Sequence, residues 1–288
     1  MTASAFAPGK LILMGEHAVV YGHPALAIAI DRGMTVHLHH RPGPSGLDTP
    51  WVDDSRLNEA LLAILPPEGV GVHIESTLLV GRGMGSSAAL AVALVRAAAK
   101  LEGREATQEE TNTGAFRVER IFHGNPSGID HTVSMLGGAV RYRRTPEGPE
   151  FKPVNIAPLP LVVIDSGSAG NTAEMVSAVR NRKPAVDKHL EAMGKLLDKT
   201  LPMLTDGKHE EVGRAWCENH RLLQAIGVST PTLDSIVEMA LHHGAWGAKL
   251  AGSGGGGVVI ALSEDTDALI KAAAAKGFNA FTTKISSP

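Results

Sequence analysis

The sequence has almost no cysteine, no excess of one charge and no long apolar run. Cys217 is the only cysteine, which excludes an intrachain disulfide and a cysteine-based metal site and favours a reducing, cytoplasmic location. The 27 Lys and Arg against 30 Asp and Glu give a formal charge of −3, which argues against a nucleic-acid-binding protein with a basic surface. The longest uncharged apolar stretch, residues 88–95, is far shorter than a membrane span, and the first residues do not resemble a secretory signal.

Glycine, in contrast, is abundant. The chain has 32 glycines, where average usage would give roughly 20. The apolar content of 43% and the charged content of 20% are ordinary for a folded protein, and 288 residues suit one large domain or two small ones. The segment 144–160 contains five prolines and is the best candidate for a border between two domains. We therefore expect domains at residues 1–158 and 159–288.

The pattern of apolar residues predicts strands with a few helices before that border and helices with a few strands after it. Residues 87–101 form the clearest helix, since alanine and leucine dominate it and two serines precede it. A second helix is expected over residues 107–122. In the second half, helices are predicted at residues 172–181, 184–204, 208–226, 231–243 and 265–275, and strands at 161–164, 258–262 and 278–284.

A glycine-rich loop between a predicted strand and the clearest helix is the strongest sign of chemistry. Its residues 81–89 read Gly-Arg-Gly-Met-Gly-Ser-Ser-Ala-Ala. Glycines at this place let successive N–H groups and the helix N-terminus bind a phosphate, although a plain tight turn is the alternative. The loop is not a Walker A motif, because it lacks Gly-Lys-Ser/Thr, and it is not a Rossmann fingerprint, because Ser86 stands where the third glycine belongs.

Three further segments carry polar side chains whose role the local pattern leaves open. Residues 249–257 form a second glycine loop, which we expect to face the first rather than act as a linker. In residues 119–130, the turn Asn-Pro-Ser-Gly presents Asp130, a candidate proton acceptor, and Glu119 precedes it as a candidate ligand for a divalent ion. Residues 7–22 place Lys10, Glu16 and His17 around a short apolar strand. Solvated surface charges are the alternative for the acids, and a structural histidine is the alternative for His17.

The four segments, in this order, resemble the motifs of the GHMP small-molecule kinases and, within that family, of the enzymes that phosphorylate mevalonate. The resemblance spans residues 7 to about 260, and the segment His-Gly-Asn-Pro-Ser-Gly-Ile-Asp that ends at Asp130 is its most specific part. It implies an α+β fold of two domains, the first similar to domain 2 of ribosomal protein S5 and the second ferredoxin-like, with the active site between them. The sequence departs from the family pattern in four places. Leu79 replaces a proline, Gly170 replaces an arginine, and residues 251–258 read Ala-Gly-Ser-Gly-Gly-Gly-Gly-Val where Thr-Gly-Ala-Gly-Gly-Gly-Gly-Cys is common. The chain is also short compared with the animal enzymes of the family.

The resemblance also implies a role for each motif residue. Asp130 falls on the catalytic aspartate that takes the proton of the C5 hydroxyl, and Lys10 falls on the lysine that stabilises charge beside it. Ser87 and Glu119 fall on the Mg²⁺ ligands. The residues implied to cradle the ATP phosphates are Gly81, Gly83, Met84, Gly85, Ser86, Ser87 and Ala88. The residues implied to contact the acceptor substrate are Glu16, His17, Asp130, Thr172, Gly252 and Ser253.

The activity that follows from the resemblance is ATP-dependent phosphorylation of (R)-mevalonate to (R)-5-phosphomevalonate. ATP and Mg²⁺ are the expected cofactors, and small molecules rather than nucleic acids or membranes are the expected partners, with a homodimer left open. A first alternative is a kinase of the same family that acts on phosphomevalonate, homoserine or a sugar. The others are a dinucleotide-dependent oxidoreductase that uses residues 81–85 and a catalytically silent nucleotide sensor.

Overall fold

The chain folds around two mainly antiparallel sheets that follow each other in sequence. This computed structural model describes residues 2–48, 55–124, 126–145 and 147–287, so Asn125 of the most specific motif lies outside the described residues. The first sheet has the order β3-β4-β2-β5-β6, with β1 paired along β2. Its strands are β1 (Thr2–Met14), β2 (Ala25–Pro44), β3 (Gly46–Leu47), β4 (Glu68–Ser76), β5 (Ala139–Thr145) and β6 (Gly148–Val154).

Four helices accompany the first sheet: α1 (Ser55–Leu62), α2 (Ser86–Leu101), α3 (Gln108–His123) and α4 (Ile129–Leu136). Helix α2 packs on β1 and β2, and its alanines are buried because small side chains let the helix approach the sheet closely. Helix α3 begins with a capping box, in which the Thr107 hydroxyl accepts from the Glu110 N–H and the Glu110 carboxylate accepts from the Thr107 N–H. Helices α2 and α3 pack against each other, so the start of α2 and the end of α3 lie together on one side of the sheet.

The second sheet has the order β10-β7-β9-β8, and its strands β7, β8 and β9 are buried on both faces. Its strands are β7 (Leu161–Asp165), β8 (Gly247–Ala251), β9 (Val258–Leu262) and β10 (Ala280–Thr283). Alternate residues of β9 point to opposite faces: Val258, Ile260 and Leu262 join the core that includes the first sheet, and Val259 and Ala261 pack in a separate core. Five helices surround this sheet: α5 (Thr172–Asn181), α6 (Asp187–Thr205), α7 (His209–Ala225), α8 (Pro231–His242) and α9 (Thr266–Ala275).

Most long elements lie where the sequence predicts them. Four of the elements named above were not predicted, the shortest being β3, whose two residues lie in a segment that the sequence pattern indicates to be a surface loop. Strand β6 occupies the proline-rich segment, which tolerates Pro149 and Pro153 because β6 is an edge strand. Helix α4 has only eight residues and directly follows the predicted turn. Strand β8 was hidden because Lys249 interrupts its apolar pattern. The expected border at residues 158 and 159 falls between β6 and β7 and stays a prediction, since one core cluster contains residues from both sides.

Within the described ranges, no helix is both long enough and apolar enough to cross a membrane.

Candidate active site

The first glycine loop leaves the start of α2 open to an anion. Gly81, Gly83 and Gly85 have φ values of 76°, 78° and 72°, a left-handed backbone that side chains rarely adopt. Gly85 is the N-cap of α2, and no side chain of the described residues caps the helix. The unpaired N–H groups of the first turn and the helix dipole therefore remain available for a negatively charged group. Ala88 is buried in this first turn.

Lys10 and Asp130 form an ion pair beside this loop. The Lys10 Nζ lies 3.1 Å from the Asp130 Oδ1. Lys10 is buried, and its methylene groups pass so close to Gly85 that a Cβ there would lie 2.8 Å from the Lys10 Cγ. The Lys10 N–H also donates to the Met84 carbonyl at 2.9 Å. The carboxylate is partly exposed, so a small molecule in front of the loop has access to it.

Helix α4 holds Asp130 in place through contacts at both of its ends. Gly128, with a φ of 88°, precedes the helix and turns the chain sharply. The Tyr142 hydroxyl donates to the Ser127 carbonyl at 2.5 Å, and the Ser134 hydroxyl donates to the Pro8 carbonyl at 2.5 Å. The second bond ties α4 to β1, the strand that carries Lys10. The sequence segments at residues 8–10 and 127–134 are thereby fixed to each other.

Glu119, Ser87 and His123 form a second polar group at the same place. The Ser87 Oγ lies 2.9 Å from the His123 Nε2, and that nitrogen lies 4.0 Å from the Glu119 Oε1. Glu119 is 2% exposed, and its Oε1 is buried without a hydrogen-bond partner among the described residues. Burial raises the pKa of Glu119 to about 7, with a further contribution from the Asp130 charge, while Ser87 and Lys10 act in the opposite direction.

An unpartnered buried carboxylate oxygen beside a hydroxyl is a donor set that fits Mg²⁺. No cluster of three or more His, Cys, Asp or Glu residues suited to a metal occurs in the described part of the chain. Mg²⁺ does not need such a cage, because it is commonly held by one or two protein oxygens together with phosphate oxygens and water. Ser87 and Glu119 supply two such oxygens next to the loop.

Glu16 and His17 lie where the two halves of the chain meet, and their side chains have different partners. The Glu16 carboxylate is buried and accepts hydrogen bonds from the Lys249 ammonium and, at 3.2 Å, from the Asn219 amide. Glu16 therefore faces the protein interior. Lys249 has no exposed surface, and burial lowers its pKa while Glu16 acts to raise it.

His17 contacts the second glycine loop. Its Nε2 lies 2.8 Å from the Ser253 carbonyl and must donate, so the Nδ1 of a neutral His17 is an acceptor. Burial lowers the pKa of His17, against smaller opposing effects of the Ser253 hydrogen bond and Glu16. His17 is the one described non-glycine residue with positive φ, at 56°. Such backbone strain is often kept at functional sites.

The second glycine loop lies against the first one. The Thr172 hydroxyl, at the start of α5, lies 3.1 Å from the Ser253 hydroxyl. A Cβ on Gly252 would lie 3.8 Å from the Gly83 carbonyl, so the two loops are in van der Waals range. At Gly170 a Cβ would lie 2.5 Å from the Gly254 carbonyl, so the position at which the resemblance led us to expect an arginine has no room for a side chain.

The structure thus brings the first glycine loop, Lys10, Asp130 and the Ser87–Glu119 pair together, and it brings His17, Thr172 and Ser253 together. Among the polar residues of this region that had no role in the sequence reasoning, His123 and Lys249 are the two that belong to quoted segments. His123 is the first residue of the motif that ends at Asp130, so its position in that motif could have suggested a place in the site. A lysine inside the otherwise apolar stretch Gly-Ala-Lys-Leu-Ala was the available signal for Lys249.

Comparisons with known proteins show the family of the chain and the origin of its fold. Residues 55–138 match the GHMP kinases N terminal domain, and residues 196–280 match the GHMP kinases C terminal. A mevalonate kinase of Pyrococcus horikoshii is 39% identical over 90% of this chain and 88% of its own length. One from Pyrococcus abyssi is 38% identical over the same shares. The crystal structure of L. major mevalonate kinase in complex with R-mevalonate has a TM-score of 0.89 and 29% identity, and the alignment covers 100% of this chain and 97% of that one.

Proposed function

This chain belongs to the GHMP kinase family, and from that premise we propose that it transfers the γ-phosphoryl group of ATP to the C5 hydroxyl of (R)-mevalonate. The product is (R)-5-phosphomevalonate, an intermediate of isoprenoid biosynthesis. The enzyme is a phosphotransferase with an alcohol as acceptor. The observation that carries the proposal is the Lys10–Asp130 ion pair at 3.1 Å beside an uncapped, glycine-lined helix N-terminus.

Asp130 acts on the acceptor alcohol. Its partly exposed carboxylate accepts the proton of the C5 hydroxyl as the oxygen of that hydroxyl forms a bond to the γ-phosphorus. The bond between that phosphorus and the bridging oxygen of ADP breaks, and ADP leaves with the electron pair. Lys10, whose ammonium touches the same carboxylate, stabilises the negative charge that moves between these oxygens. Phosphoryl transfer requires little covalent help, so fixed positions and fixed charges are sufficient.

The first glycine loop binds the phosphates of ATP. The backbone of residues 81–88, with the first turn of α2, supplies the N–H groups that hold them. Ser87 and Glu119 would hold Mg²⁺, which would neutralise phosphate charge. The unpartnered Oε1 of Glu119 supports this assignment, since an ionised buried carboxylate requires a cation nearby.

Mevalonate lies beside the contact between the two glycine loops. We assign its polar contacts to His17, Thr172 and Ser253, with the backbone of Gly252 beside them. The acceptor Nδ1 of neutral His17 suits a hydroxyl of the substrate. Glu16 supports the site without touching mevalonate, because its carboxylate is already bound to Lys249 and Asn219.

The proposal keeps a domain border at residues 158 and 159, with the site between the two parts. The single cysteine supports a reducing compartment such as the cytoplasm.

A substrate panel tests the proposal. The purified protein is given ATP, Mg²⁺ and one acceptor at a time: mevalonate, 5-phosphomevalonate, homoserine or galactose, and ADP release is followed. We expect turnover with mevalonate and background rates with the others. Turnover of another alcohol without turnover of mevalonate would replace the proposed substrate by that alcohol.

A further inference from the structure

Arg82 is bound to the second half of the chain. It lies between the first two glycines of the proposed phosphate loop, which is the first glycine loop with the start of α2 (residues 81–88). Its Nε lies 3.0 Å from the Asp165 Oδ1, and its Nη2 donates to the Gly167 carbonyl at 3.0 Å. The same Asp165 oxygen accepts from the Gly167 N–H at 3.0 Å. The end of β7 and the turn after it therefore supply two acceptors, the Asp165 carboxylate and the Gly167 carbonyl, for two N–H groups of the guanidinium.

The loop itself has few other means of holding its shape. Between Gly81 and Gly85 only Arg82 and Met84 have side chains, and the three glycines have left-handed backbones with high conformational freedom. Met84 is buried in the core of the first half. Arg82 is 22% exposed at its side chain and Asp165 is 12% exposed, so their ion pair is more shielded than an ordinary surface pair.

Backbone contacts also reach the loop from the second half, and the one at Gly257 is the tightest. A Cβ on Gly257, the residue before β9, would lie 3.0 Å from the Arg82 carbonyl. The phosphate loop is therefore anchored by Met84 to the first half and by Arg82 to the second. Because the loop is held from both halves of the chain, it loses less conformational entropy when it binds phosphates.

We propose that Arg82 and Asp165 are positioning residues that hold the phosphate loop in its ATP-binding shape from across the two halves of the enzyme. The inference rests on the proposed function, because it takes ATP as the ligand of the loop. Both guanidinium contacts are directed at the protein, so Arg82 acts on ATP through the backbone of its own loop. The pair affects ATP and leaves the mevalonate contacts around His17 unchanged.

The experiment measures KM for ATP and for mevalonate, and the Kd of ATP by calorimetry, in Arg82→Ala, Asp165→Asn and the double variant. Loss of a shielded, charge-assisted contact is expected to raise KM and Kd for ATP about five- to tenfold. The KM for mevalonate stays within about twofold of the wild-type value. Because both residues act as one unit, the double variant is expected to be no worse than either single variant.

Arg141→Ala is the matched control. Arg141 on β5 lies 2.9 Å from Asp198 on α6, so this arginine–aspartate pair also joins the two halves, but it contacts no residue of the loop among the described hydrogen bonds and ion pairs. Its removal is expected to leave the KM for ATP unchanged. Thermal unfolding of all variants reports whether the fold is intact.

Two results would overturn the inference. If Arg82→Ala weakened ATP binding and Asp165→Asn did not, Arg82 would contact the nucleotide directly. If Arg141→Ala weakened ATP binding as much as Arg82→Ala, the effect would belong to general contact between the halves. The calorimetric Kd is independent of turnover, so a protein that binds ATP but does not phosphorylate mevalonate would refute the proposed function and still test the role of Arg82.

Discussion

Replacement of Glu119 by glutamine is expected to stabilise the metal-free protein at alkaline pH. Glu119 is 2% exposed, and one of its oxygens has no partner within the described residues. Burial and the Asp130 charge raise the pKa of Glu119 from 4.5 to about 7. The folded state therefore binds this proton more tightly than the unfolded chain, and ionised Glu119 opposes folding when no cation is present.

The sign and size of the effect follow from the two pKa values. The stabilising contribution of protonated Glu119 is complete below pH 4.5 and is lost as the pH rises through about 7. A rise of the pKa from 4.5 to about 7, at about 1.4 kcal/mol per pKa unit, corresponds to about 3.5 kcal/mol. Glutamine cannot ionise, so Glu119→Gln avoids this loss. The free energy of unfolding of the variant, relative to wild type, should rise by about 2.5 kcal/mol between pH 5 and pH 8.5, because pH 5 already lies above 4.5.

Urea unfolding at pH 5 and pH 8.5 in the presence of EDTA measures this difference. Glu109→Gln is the matched control, because Glu109 lies on the same helix and is exposed. The control should change little with pH. If Glu119→Gln and wild type had equal free energies of unfolding at both pH values, Glu119 would not be a buried carboxylate that requires a cation when it is ionised.

Three further predictions concern catalysis and the junction between the glycine loops. Asp130→Asn and Lys10→Ala should each lower kcat by about 10²- to 10⁴-fold in steady-state assays, with ATP binding retained in calorimetry. Lys249→Met leaves the Glu16 charge buried without its partner and should cost about 3–5 kcal/mol in urea unfolding, most of which the added Glu16→Gln should restore. Gly254→Ala should lower the melting temperature, because its φ is 75° and its Cβ would collide with a backbone carbonyl.

The shape of the first glycine loop could be predicted from sequence because its signals are local. Alternating glycines before an alanine-rich helix determine both the left-handed turns and the start of α2. The two-domain α+β fold came from the ordered motifs and is confirmed by the two family matches and by the structural likeness to a mevalonate kinase.

Contacts between residues far apart in the chain were beyond the local patterns. The Lys10–Asp130 pair was suggested only by the family resemblance, because a lysine in a strand and an aspartate after a turn are common separately. Glu16 and Lys249 are separated by 233 residues, and nothing in either segment indicates the other. Arg82 and Asp165 were missed for the same reason, since an arginine between glycines is usually solvated.

Direct identification of the product tests the central claim most strictly. Wild-type enzyme and Asp130→Asn are incubated with ATP, Mg²⁺ and (R)-mevalonate, and phosphorus NMR follows every phosphate species. The account predicts one new phosphomonoester on C5, formed in a one-to-one ratio with ADP by the wild type and nearly absent with the variant. Release of inorganic phosphate without an ester, or an equal yield of ester from the variant, would contradict it.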